Sequence, residues 1–192
     1  MLSSPATRYV AFLRAVNVGG RIVKMDRLRD LFASMGFAGV ETFIASGNVI
    51  FESGLDAQRL EQRIGDVLRK ALRFEVGTMV RTTADVDRIA RHRPFPDAEL
   101  GKPGTSLHVG FMARAFTPKS RSTAMSFLPP GDEFHLHKSE LYWLTRTGVG
   151  KSEFSLTRLE KALGYIGTFR NVTTVRKLAE KYPPTRPAPA GR

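Results

Sequence analysis

The 192-residue chain has no cysteine, which excludes disulfides, thiolate metal sites and a cysteine nucleophile together. No stretch approaches the roughly 20 consecutive apolar residues that a membrane-crossing helix needs. The first apolar run has no basic leader before it and no small-residue cleavage site after it. A soluble, unprocessed, cytoplasmic protein with no membrane partner is therefore expected. G-x-S-x-G, H-E-x-x-H and a clear pair of carboxylates are also missing, and the four histidines are scattered, so the sequence offers no obvious general base. Whether the chain is an enzyme stays open at this level, as does its oligomeric state.

Acidic side chains are scarce. Eighteen stand against 30 basic ones, for a formal charge of +12 and a sequence pI near 10.6. The excess is spread along the chain: residues 1–96 hold 15 basic and 10 acidic side chains, and residues 97–192 hold 15 and 8. Such a balance favours polyanionic partners in general, nucleic acid and anionic small molecules among them, while arginine scattered over a solvated surface gives the same sum. Hydrophobic residues make up 42%, enough for a core in one domain or two small ones.

The most legible stretch is Arg8 to Ser53. Tyr9 to Val16 is an apolar run of strand length, broken by Asn17-Val18-Gly19-Gly20, residues that tolerate positive φ. Leu28, Leu31, Phe32 and Met35 then fall at i, i+3, i+4, i+7, and Gly36 sits where a left-handed helix cap belongs. Val40 to Ile44 alternates, and Val49 to Phe51 resumes β character after Ser46-Gly47-Asn48.

The combination FLRAVNVGG, KMDRLRDLF and TFIASGNVIFES, three short motifs in order and at the right spacing, resembles the opening signature of the bacterial domain-of-unknown-function family 1697. Gly167-Thr168-Phe169-Arg170-Asn171-Val172-Thr173-Thr174-Val175 resembles the family's second signature, with Val172 where that signature carries an aromatic. The similarity runs from about Arg8 to Tyr182, and it implies no activity, cofactor or partner.

Beyond the opening unit, Leu60, Ile64, Val67, Leu68, Ala71 and Leu72 mark a second amphipathic helix, followed by a strand within Val76 to Thr82 and a helix over Thr83 to Arg91. The order βαββαβ is that of the split βαβ, or ferredoxin-like, arrangement. Prolines and glycines from His92 to Thr105 predict an irregular connection. A second unit follows, with a strand over Ser106 to Ala113 and a helix starting at Thr117-Pro118 and ending at Pro129-Pro130. A hairpin then turns at Lys138-Ser139, and helices cover Ser155 to Leu163 and the Val175 to Tyr182 stripe. The expected fold is α+β, two ferredoxin-like halves with antiparallel sheets covered by helices. The halves are 1–92 and 106–182, joined by a loop at 93–105 and followed by a flexible tail at 183–192.

Several groups are candidates for chemistry, and each has a purely structural alternative. Asn17, Gly19, Gly20 and Arg21 lie at a strand-to-helix turn where free amides attract anions, with Arg14 and Lys24 nearby; the glycines also simply permit the turn. Ser46 and Asn48 form a polar interruption between apolar runs, equally a bulge or tight turn. Thr168, Arg170 and Asn171 bring hydroxyl, guanidinium and amide together before the last helix, where they could hold an anion; equally, Thr168, Asn171 or Thr173 is an N-cap while Arg170 bonds a carboxylate or a carbonyl. Thr147-Gly148-Val149-Gly150-Lys151-Ser152 imitates the end of a P-loop but has Thr145 where the motif needs glycine; a loop closing a hairpin is the expectation. His135 and His137 would share one face of a strand without an evident third ligand, so no metal and no cofactor is expected. Tyr9, Phe12, Phe43, Phe51, Phe111, Tyr142 and Trp143 could stack on single-stranded RNA, with core packing the plainer role.

The functional expectation is a non-enzymatic binding protein for a phosphate-bearing or polyanionic ligand such as nucleic acid. The alternative is a small enzyme acting on an acidic metabolite in a cleft between the halves.

Overall fold

The computed structural model describes residues 6–16, 22–44 and 47–184. The chain forms two compact units, Met1–Arg91 together with Arg176–Arg192, and His92–Val175.

The first unit runs β1 (Thr7–Leu13), α1 (Met25–Ser34), β2 (Ala38–Phe43), β3 (Asn48–Ser53), α2 (Ala57–Leu72), β4 (Thr78–Thr82) and α3 (Thr83–Arg91). Its sheet has the order β2-β3-β1-β4 with antiparallel neighbours, the split-βαβ topology. Tyr9 faces Phe51, and Ala11 faces both Val49 and Val80 across the strands. That register sends Tyr9, Ala11, Leu13, Val49, Phe51 and Val80 into one core with Leu28 and Phe32 of α1 and Leu60, Ile64 and Leu68 of α2. Burying each of the large side chains contributes roughly 1.5–3 kcal/mol. α2 begins where the Asp56 side chain accepts the Arg59 N–H at 3.0 Å, an ordinary N-cap. α1 ends where Gly36, at φ +79°, donates its N–H to the Ala33 carbonyl at 2.8 Å, the left-handed stop its position predicts.

The second unit repeats the plan: α4 (Asp97–Leu100), then β5 (Ser106–Met112), α5 (Pro118–Met125), β6 (Glu133–His137), β7 (Glu140–Thr145), α6 (Leu156–Leu163), β8 (Gly167–Asn171) and the start of α7 (Val172–Lys181). The order β6-β7-β5-β8 is that of the first sheet. Leu136, Leu141, Trp143 and Met112 on one face of this sheet pack with Phe116, Ala124 and Leu159. Thr117 opens α5 with a reciprocal capping box to Ser120 and proline at the first helical turn. Ser155 caps α6, its hydroxyl accepting the Arg158 N–H. The α+β class and two split-βαβ halves read from the sequence are the architecture observed.

Three local expectations are corrected. The 93–105 connection holds a short helix, α4, and Glu99 within it pairs with Arg146 at 3.1 Å. Gly167–Asn171, which precedes the last helix, is an edge strand paired with β5. α5 stops at Met125, four residues before Pro129, because the Ser126 and Phe127 amides close the helix end on the Ser122 and Ala124 carbonyls. The Thr147–Ser152 stretch closes no hairpin but connects β7 to α6, while the β6–β7 hairpin turns at Lys138-Ser139 as its sequence predicts, with Lys138 at φ +52°.

Among the described residues no helix is long and apolar enough to cross a membrane.

Candidate functional site

The two units can be aligned through their first strands. In the first, Leu13 N–H donates to the Gly47 carbonyl and Arg14 N–H to the Gly77 carbonyl; in the second, Met112 N–H donates to Ser139 and Ala113 N–H to Ile166. Leu13 and Met112 are thus equivalent. The connection that follows each of them, β1 to α1 and β5 to α5, occupies the same place in its unit.

In the second unit that connection borders a cavity of about 340 Å³, lined by Arg114, Thr117, Lys119, Ser120, Thr123 and Tyr165 with Ala115, Ala162 and Leu163 between them. The fold builds it from two helix ends. Thr117 and Pro118 start α5 on one side, and Gly164, at φ +73°, stops α6 on the other and turns the chain into Tyr165. Arg114 and Lys119 are exposed, and among the described residues neither has a carboxylate partner. The Arg114 guanidinium lies 6.0 Å from the centroid of the Tyr165 ring, cation–π distance. The Tyr165 hydroxyl is buried and has no hydrogen-bond partner among the described residues. No acidic side chain lines this cavity, whereas another of about 270 Å³ has both Glu153 and Arg158 in its lining.

The residues singled out in the sequence are placed as follows. Asn17, Gly19, Gly20, Arg21 and Ser46 lie outside the described residues. Arg14 is half-buried after β1 and Lys24 is exposed before α1, where it provides no side-chain cap. Asn48 is fully buried, its amide donating to the Phe43 carbonyl at 3.0 Å. Arg170 is 9% exposed, and its guanidinium donates to the Thr168 hydroxyl at 2.9 Å and the Phe169 carbonyl at 2.8 Å. Burial pushes it down to about 10, which leaves it charged at neutral pH. Asn171 accepts the Thr173 N–H at 2.8 Å, holding the first turn of α7. The sheet keeps Thr168 and Arg170 together, and Lys24 belongs to the other unit.

His135 and His137 do share a face, and His92 joins them with ring centroids 5.1 and 4.9 Å away. His92 stacks on His137 at 24°, so ring faces meet instead of nitrogens converging on a point. Burial, then the like-charged neighbours His137 and Arg121, hold His135 below its ordinary value. Among the described residues no group of three His, Cys, Asp or Glu is arranged to hold a metal ion. The rings weighed for RNA stacking are buried, Phe43 excepted. Trp143 donates its indole N–H to the buried Asp132 at 2.8 Å, and Ser152 of the P-loop-like stretch donates to the same oxygen at 2.8 Å.

The cavity residues were missed in the sequence because Arg114, Lys119 and Tyr165 share no motif. The parallel between Phe12-Leu13-Arg14-Ala15 and Phe111-Met112-Ala113-Arg114-Ala115, each leaving a first strand, was the signal available.

No curated protein matches the chain. Among solved structures it is similar to the conserved bacterial protein SP0830 from Streptococcus pneumoniae, at 21% identity and TM-score 0.67, covering 91% of this chain and 98% of that one; at that identity the likeness bears on the fold. The family model described as protein of unknown function (DUF1697) matches residues 6–142, a range that ends before the second signature at Gly167–Val175. The chain belongs to the DUF1697 family.

Proposed function

We propose that this protein is a binding protein for a phosphate-bearing ligand, held at the β5–α5 connection of the second unit. The observation that carries the reading is the cavity itself: two cations, Arg114 and Lys119, three hydroxyls and no carboxylate around about 340 Å³. Arginine supplies a planar fork for phosphate oxygens and lysine a mobile point charge. The volume falls in the usual range for small-molecule sites. Dispersed positive charge along the rest of the chain adds long-range attraction for the same class of ligand.

Calorimetric titration with inorganic phosphate, phosphorylated metabolites and short nucleic acids, at low and physiological salt, tests this. Binding that weakens with salt and is lost in the Arg114→Ala, Lys119→Ala double variant supports it. Binding that survives both substitutions, or no binding of any phosphate compound, removes it.

A further inference from the structure

We infer that the ligand of this cavity is a nucleoside monophosphate, its phosphate on Arg114 and Lys119 and its base against the Tyr165 ring. The inference rests on the phosphate reading above and adds what the apolar part of the lining contributes. Tyr165 lines the cavity with Ala115, Ala162 and Leu163, and the Arg114 guanidinium lies over the same ring at 6.0 Å. A bare phosphate would leave the Tyr165, Ala115, Ala162 and Leu163 part of the lining uncovered. A nucleobase has the π-face that an aromatic side chain and a guanidinium plane both stack on. The cavity, at about 340 Å³, suits one nucleotide and is too small for a duplex.

The contact is made by the ring and not by the hydroxyl. The Tyr165 oxygen is buried, so a ligand in the cavity meets carbon. Phenylalanine is therefore a sufficient replacement, whereas an aliphatic side chain of similar bulk is not.

The test is titration calorimetry on the full chain with adenosine monophosphate, ribose 5-phosphate, inorganic phosphate and adenosine, using the native protein and the Lys119→Ala, Tyr165→Phe and Tyr165→Leu variants, each checked for native circular dichroism. The expected result is adenosine monophosphate binding about tenfold or more tightly than ribose 5-phosphate, the scale of one stacking contact. Tyr165→Phe should keep that preference, Tyr165→Leu should abolish it, and Lys119→Ala should weaken both phosphates alike. Equal affinity for adenosine monophosphate and ribose 5-phosphate, unchanged by Tyr165→Leu, overturns the nucleotide and leaves the phosphate reading standing. No binding of any phosphate overturns both. Tighter binding of a 5′-phosphorylated oligonucleotide, also lost in Tyr165→Leu, replaces the free nucleotide with a strand end.

Discussion

Glu61 and Glu160 play the same part in the two units. Each is the fifth residue of the helix that leads into the last strand of its sheet, α2 or α6, and each accepts an N–H from the edge strand that follows, Val80 at 2.8 Å and Gly167 at 2.8 Å. An edge strand leaves one row of amides without a ladder partner; here a helix carboxylate takes one of them. Removing either acceptor leaves a buried donor unsatisfied, so Glu61→Ala and Glu160→Ala should each cost about 1–3 kcal/mol, read from urea denaturation. A cost near zero at both positions would mean the amides are satisfied some other way.

Glu61 also has a pH signature. Burial raises its carboxyl, against the Val80 hydrogen bond and Arg81, so the folded state holds the proton to higher pH than the unfolded chain. Its contribution is greatest below the ordinary value of 4.5 and falls as pH rises through the raised one. Glu61→Gln, which keeps an acceptor, should therefore gain stability relative to the native protein between acid and neutral pH.

His108 has the opposite slope. Burial holds its imidazole below the ordinary 6.5, while its Nε2 lies 3.0 Å from the Ser106 hydroxyl. As pH falls the unfolded chain takes the proton first, so stability present above 6.5 is lost on acidification toward the lowered value. The denaturation midpoint of His108→Gln should fall less than that of the native protein between pH 7 and 5, both pH values chosen to bracket about 6.5. Parallel curves would exclude His108 as the source.

Arg73 stands at φ +65° after α2, where the second unit uses Gly164 at φ +73° after α6. A side chain in the left-handed region costs about 1–2 kcal/mol, partly offset by the greater freedom of glycine in the unfolded chain. Arg73→Gly should raise stability by about 0.5–1 kcal/mol, and a lower melting temperature would show that the arginine side chain contributes more than its backbone costs.

Gly110 faces Phe169 across β5 and β8. A Cβ built there comes within 2.6 Å of the ring, and that ring is held edge-on by Trp143 and Phe154 at 5.8 and 5.6 Å. Gly110→Ala should destabilise by about 1–3 kcal/mol through overpacking, with Phe169→Leu restoring part of the loss in the double variant.

Where the sequence carried a local physical signal, the fold was legible. Gly36, Thr117-Pro118 and Ser155 mark helix boundaries because each acts on backbone groups within a few residues of itself. The strand order was legible too, since the pattern of elements admits few packed arrangements. β8 was not, because its five residues GTFRN show no clean alternation and it is a strand through its partner β5. Arg170 was open in one dimension between an anion group and a bond to a carbonyl; its place on that strand buries it and turns its donors onto Thr168 and Phe169. The cavity pairs Arg114 with Tyr165, residues from opposite ends of the second unit's sequence, and composition cannot announce such a meeting.

The Asp132–Trp143 hydrogen bond has an optical consequence. Trp143 is the chain's single tryptophan, buried with its N–H on a carboxylate and its ring 5.4 Å from the His108 imidazole. Excited alone, that indole reports the packing of the second unit's core and nothing of the first. Protonation of His108 would dim it and unfolding would shift its colour, so the protein carries a built-in lamp that separates titration from denaturation.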